Sequence, residues 1–211
     1  MQRRQAIIAV YVLLALGAAF LSYLAHLYPY FPGDVELARW VQGLDFPGLG
    51  LAMEVVSRLG GGPVAALVVL GCLAGLFLAG YVAQGLLLLA GAASGYLLNL
   101  ALKFLVDRPR PQISVDSSFP SGHAMHSIIF YGLLFYLASA IRSRGLRLPT
   151  QTVLALVILA QGPSRVYLGV HWPSDVAGGY LIGGLLLWAA VVAYRRWGQQ
   201  VRPWLGHRGR P

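Results

Sequence analysis

Long uncharged apolar runs separated by short polar breaks dominate the chain, and their lengths predict helices that cross a bilayer. A hydrocarbon core of ~30 Å needs about 20 apolar helical residues per crossing, and a charge at mid-span is costly. Charge-free gaps therefore count the crossings. The first gap, Gln5 to Gly33, holds one span over Ala6 to Leu27. The second, Leu59 to Leu102, has 44 residues, too many for one helix and enough for two joined by a tight turn near Gly80 to Gln84. Ser117 to Ile141, Leu148 to Ser164 and Val176 to Tyr194 supply three more, the middle one short unless it continues past Arg165 to about Val170. The pattern predicts an all-α integral membrane protein with six transmembrane helices. Between the first two spans, Asp34 can cap a short helix with Leu37, Val41 and Leu44 at helical spacing and Trp40 near an interface. A second short helix carries Glu54 and Arg58 as an i,i+4 pair, so this region reads as a short interfacial helical connector lying on the surface. Residues 1–198 form the six-span domain and 199–211 a basic cytoplasmic tail.

Composition and charge narrow the class. Only 11% of residues are charged, against about 25% in soluble chains, which excludes a soluble enzyme or a disordered chain. The net charge of +9 is scattered among apolar runs instead of gathered in one patch, so no nucleic-acid partner is expected. The single cysteine, Cys72, lies deep in an apolar run and offers neither an intramolecular disulfide nor a cysteine metal cluster. Arg3 and Arg4 ahead of an apolar stretch also fit a signal peptide, but the run is longer than the roughly 7–15 residues of a signal core.

With the N-terminus inside, alternating spans place Arg3, Arg4, Arg142, Arg144, Arg147, Arg195, Arg196, Arg202, Arg208 and Arg210 in the cytoplasm with no acidic residue beside them. All seven acids then fall outside, so the positive-inside asymmetry puts both termini in the cytoplasm. Small residues spaced by four at Gly71 and Gly75, Gly91 and Gly95, and Gly179 and Gly183 predict close helix packing.

Ionisable residues near membrane depth are the candidates for chemistry. One cluster ends the third span, from Lys103 through Asp107, Arg108, Pro109 and Arg110 to Pro111. A second opens the fourth span, from Phe119 through Pro120, Ser121, Gly122 and His123 to His126. A third joins the fifth and sixth, from Pro163 through Ser164, Arg165 and His171 to Asp175. Alternation of the spans brings all three to the outer face. Lys103, Arg110 and Arg165 suit a dianionic phosphate, whereas Arg108 reads as an interfacial cation whose stem snorkels to water. Pro109 and Pro111 free Arg110 from the helical track. Pro120-Ser121-Gly122-His123 reads as a helix start whose amides can bind phosphate oxygens, with His123 placed to donate a proton. His171 with Asp175 four residues on is a nucleophile candidate, in either a helical or a turn geometry. His126 reads as a packing residue and His26 as an ordinary interfacial one, and Pro163 is expected to kink the fifth span. Too few carboxylates surround the site for a metal-dependent phosphatase, so no cofactor is expected.

The three clusters, in order and spacing, resemble the type 2 phosphatidic acid phosphatase superfamily, whose signatures read K-x6-R-P, P-S-G-H and S-R-x5-H-x3-D. Lys103 with Arg110-Pro111, Pro120-Ser121-Gly122-His123, and Ser164-Arg165 with His171 and Asp175 match them without a mismatch. The resemblance implies that His171 attacks phosphorus, Asp175 activates it and His123 protonates the leaving group. Lys103, Arg110, Ser121, Gly122 and Arg165 would hold the phosphoryl oxygens, with no metal. An outward-facing site at headgroup level suits a membrane lipid phosphate. Undecaprenyl diphosphate is the first choice, with phosphatidylglycerol phosphate, phosphatidic acid and lipid A phosphates as alternatives. A membrane phosphotransferase would use the same residues with a different acceptor. A channel or transporter would spread its polar residues through the bilayer, whereas these gather at one surface.

Overall fold

The computed structural model describes residues 2–112 and 116–201, with eight helices among them. They are α1 (Gln2–Leu27), α2 (Asp34–Gln42), α3 (Leu49–Leu59), α4 (Gly62–Leu78), α5 (Val82–Val106), α6 (Gly122–Ala138), α7 (Arg144–Tyr167) and α8 (Pro173–Val201). The tail expected over 199–211 falls largely beyond the described residues, with Arg202, Arg208 and Arg210. By length and apolar composition α1, α5 and α8 can each cross a membrane, and α3 with α4, bent by 51°, makes a fourth candidate. Helix α6 is apolar but only 17 residues long, and α7 extends to Tyr167, close to the longer alternative expected for the fifth span.

The polarity of this bundle is inverted relative to a water-soluble fold. Leu13, Leu16 and Phe20 on α1, Leu67 on α4, Phe104 on α5 and Leu159 on α7 all face outward, an arrangement stable only against hydrocarbon. The centre is α6, packed between α5, α7 and α8, with Met125, Ile129, Phe130 and Leu133 buried along it. Glycines allow the close approach. A Cβ on Gly91 or Gly95 would strike Leu133 or Ile129 at 2.5 and 2.7 Å, and one on Gly179 would lie 2.7 Å from the Ser121 carbonyl. Gly71 and Gly75, expected to do the same, have nothing within 4 Å among the described residues, so their spacing is right but no close helix approach uses it there.

Two further expectations need correction. Asp34 does not cap α2, whose N-cap is Gly33 at φ 88° with no side-chain bond. It is buried and turned toward α8. The connector is also more than a surface element, because α3 packs along α7 and the glycines that follow it, Gly60 and Gly61, line the cavity described below. Pro163 lies inside α7, where the Tyr180 hydroxyl accepts from the Gly162 amide at 2.8 Å and donates to the Ile158 carbonyl. A hydroxyl thus stands in the helical ladder next to the proline.

Candidate active site

Each motif spacing corresponds to a way of ending or starting a helix. Lys103 sits in the last turn of α5, which Asp107 stops by adopting φ 46°, a left-handed conformation that Asp tolerates. Arg108 and Arg110 then leave the helix on alternate sides of Pro109. The Arg108 amide donates to Ser117 Oγ at 3.1 Å and its carbonyl accepts from Ser118 at 2.7 Å, which ties the two ends of the 108–118 loop together.

Ser121 is the N-cap of α6 and Gly122 its first residue, as the sequence predicts. The amides of that first turn have no intrahelical acceptor and carry the positive end of the helix dipole. Gly122 and His123 line the cavity; Ser121 is fully buried behind them, and its amide donates to the Asp175 carbonyl at 3.0 Å.

In the third motif Arg165 lies in the last turn of α7. Gly169, at φ 70°, closes that helix: its amide donates to Val166 and the Val170 amide to the Arg165 carbonyl, both about 3 Å, a Schellman arrangement. Two residues later comes His171, in the turn. Pro173 opens α8, and the Asp175 carboxylate reaches back to the Trp172 amide at 2.8 Å, the acidic half of a capping box. The turn alternative is therefore correct for His171 and the helical one for Asp175. Their side chains stand 3.5 Å apart, Nδ1 to Oδ2, a longer contact than an ordinary hydrogen bond.

These elements enclose a cavity of about 630 Å³ lined by Lys103, Arg110, Gly122, His123, Arg165 and His171. All three cations expected from sequence reach it. Lys103 donates to the Ser117 carbonyl, Arg110 Nε to the Asp116 carbonyl at 3.2 Å, and Arg165 to Ser57 Oγ of α3. Burial pushes His171 down to about 4 against the opposing pull of Asp175, with Arg110 and Lys103 adding to the fall. Its imidazole is neutral at pH 7, the form a nucleophile needs. His126, one turn below His123, stacks on Phe130 with ring centroids 5.3 Å apart and meets Tyr131 edge-on, and it also lines the cavity. His26 Nδ1 lies 3.0 Å from the Val106 carbonyl.

The reading of Arg108 as a snorkelling cation is overturned. It is 1% exposed, its guanidinium bonded to Asp175 Oδ1 at 2.6 Å, Asp34 Oδ2 at 3.2 Å, Ser174 Oγ at 2.8 Å and the Tyr28 carbonyl at 3.1 Å, with the Phe31 ring against its face. Such a group, fully paired on all sides, is a fixed part of the interior; breaking a buried pair from one side costs about 3–5 kcal/mol.

Sequence reasoning also missed the glycine elbow between α3 and α4. Gly60 abuts the buried Gln161 side chain, and a Cβ on Gly61 would lie 2.6 Å from His123 Nε2. Gly61 has extended backbone, so alanine there meets no conformational barrier, only the ring. A Gly61→Ala variant is expected to fold and to lose about 10²-fold in kcat by displacing His123. Wild-type kcat in a variant with unchanged thermal stability would contradict that placement.

The sequence profile of the PAP2 superfamily matches residues 84–199, more than half of the chain. The chain belongs to the PAP2 superfamily. It is thus a membrane-embedded hydrolase of phosphoric esters. Phosphatidylglycerophosphatase B of Bacillus subtilis is 34% identical over 152 residues, covering 66% of this chain and 72% of that protein. A putative undecaprenyl-diphosphatase of Escherichia coli, YbjG, is 38% identical over 88 residues, 42% of this chain and 40% of that one. Among solved structures, the PAP2-type phosphatidylglycerolphosphate phosphatase of B. subtilis superposes with TM-score 0.75 at 26% identity, covering 88% of this chain and 96% of that one. LpxE of Aquifex aeolicus gives 0.63 at 26% identity, with coverages of 77% and 96%. The residues that the family model matches span Lys103 to Asp175.

Proposed function

We propose that this PAP2 protein removes a phosphate from a membrane lipid phosphate or diphosphate through a phosphohistidine on His171, without a metal. One observation carries the reading: Lys103, Arg110, Arg165, His123, His126 and His171 share a cavity that also has a long, largely apolar wall. That wall, built from Ala65, Ala66 and Val69 of α4, Gly91 and Ala92 of α5 and Ile129 of α6, offers an aliphatic chain a path leading away from the phosphate.

In this mechanism Lys103, Arg110, Arg165 and the first amides of α6 hold the phosphoryl oxygens and neutralise the charge that builds on them. His171 attacks phosphorus through Nε2 while Asp175 orients Nδ1. His123 gives a proton to the departing oxygen, and water then displaces phosphate from His171. The donor set supports a metal-free course, since the cavity presents cations and Asp175 is already engaged by Arg108.

With six crossings, both termini cytoplasmic and the cavity facing outward, the site would stand at headgroup level, and on that topology we favour undecaprenyl diphosphate as substrate. Phosphatidylglycerol phosphate is the second choice, favoured by the 34% identity to the B. subtilis enzyme. Purified protein given a panel of lipid mono- and diphosphates with chelator present is expected to release phosphate, fastest from the polyprenyl diphosphate. No release from any lipid sinks the hydrolase reading, and loss of activity on chelation sinks the metal-free one.

A further inference from the structure

Asp34 has no place in the three motifs, yet it is buried beside the nucleophile's partner. Its Oδ1 accepts from the Ser174 amide at 2.9 Å, in the first turn of α8. Its Oδ2 accepts from the Ser174 hydroxyl, from the Phe31 amide at 2.8 Å and from Arg108 at 3.2 Å. Arg108 therefore stands between two carboxylates, Asp34 of the connector and Asp175 of the site, both almost wholly buried. The same connector residue also anchors the helix start from which Asp175 projects.

We infer that Asp34 is a positioning residue for the reaction. By sharing the Arg108 guanidinium it prevents that cation from cancelling Asp175, so that a net negative charge remains behind His171. Two carboxylates and one guanidinium leave the cluster with one negative charge. Were Asp34 neutral, Arg108 and Asp175 would compensate each other, and His171 would feel only the cations across the cavity. Those facing groups are Lys103 of α5, Arg110 of the following loop and Arg165 of α7, with His123 of α6 beside them. A less negative background lowers the basicity of the imidazole and weakens it as a nucleophile. It also withdraws stabilisation from the charge that forms on the ring during transfer.

This inference rests on the nucleophile assignment for its catalytic consequence, but its electrostatic content is testable without turnover. Asn at position 34 keeps the Oδ1 acceptor for the Ser174 amide but removes the charge and puts an NH2 donor where Oδ2 accepted, so the double variant below serves as the control for charge. In protein carrying 13C-labelled histidine in detergent, with the His171 signal assigned through His171→Gln, the His171 titration midpoint is expected to fall by roughly one pH unit in Asp34→Asn. In the Asp34→Asn/Arg108→Met double variant, which restores one net negative charge, it is expected to return toward the wild-type value. With short-chain phosphatidic acid as probe, Asp34→Asn is expected to lose about tenfold in kcat with KM within about twofold. A merely structural Asp34 would leave the midpoint unmoved in folded protein. An unchanged midpoint in Asp34→Asn, or a double variant that stays with the single one, overturns the inference. Turnover by His171→Ala would instead fault the nucleophile assignment and leave the midpoint result standing.

Discussion

His171→Ala is expected to lose at least about 10⁴-fold in kcat on any lipid phosphate that the wild type hydrolyses. The size of the effect follows from what the side chain would do. Cations and helix amides lower the barrier for whatever attacks phosphorus, but they supply no nucleophile. His171 stands in a turn held at both ends, by the Gly169 closure of α7 and by the Trp172–Asp175 capping contact of α8. Its ring is 2% exposed, and water cannot occupy its place with the same alignment. Some stability should be lost as well, because the ring is buried even though Nδ1 has no short hydrogen bond to lose. Thermal unfolding in detergent separates the two effects. A folded variant that keeps more than about a tenth of wild-type kcat would remove His171 from the mechanism.

His123→Gln is expected to show a loss that depends on the leaving group. General acid catalysis contributes about 10²–10⁴-fold where the departing oxygen needs a proton. An alkyl phosphate such as phosphatidic acid leaves as a strongly basic alkoxide and should lose that full amount. An aryl phosphate with a weakly basic phenolate should lose less than about tenfold, since the departing oxygen is stable without protonation. Glutamine fills much of the space against Gly61 and keeps a donor, so the comparison isolates proton transfer. Equal losses on both substrates would mean that His123 binds phosphate and does not act as the acid.

Much of the molecule could be read from where its charges lie. Gaps between charged residues located α1, α5 and α8 and the break at Gly80, because a charge in hydrocarbon is costly enough to leave its mark on sequence. The residues at the polar end of the cavity were legible for a related reason: Lys103, Arg110, His123, Arg165 and His171 are polar groups at or near the ends of apolar helices, and one cavity brings them together. What escaped was pairing over long separations. Arg108 looked like any interfacial arginine, since nothing nearby shows that Asp34, 74 residues earlier, and Asp175, 67 later, close around it. Asp34 resembled a helix cap because it precedes an apolar periodic stretch, but Gly33 takes the left-handed conformation that starts α2 and releases the carboxylate to α8. Ser57 and Gly61 belong to an amphipathic segment that reads as a surface helix, and only its packing on α7 carries them to the site. Gly71 and Gly75 show the converse, a packing motif that no close helix approach uses among the described residues.

The central claim is that phosphate passes through His171, and the most direct measurement is of the intermediate itself. Wild-type protein, incubated with chelator and a lipid phosphate labelled at phosphorus and quenched in alkali within one turnover, should carry label on the peptide containing His171. Phosphohistidine survives alkali and is lost in acid, so the label should vanish on acid treatment and be absent from His171→Ala. Phosphate release at the wild-type rate with no label on any peptide, or label on another residue, would contradict the account.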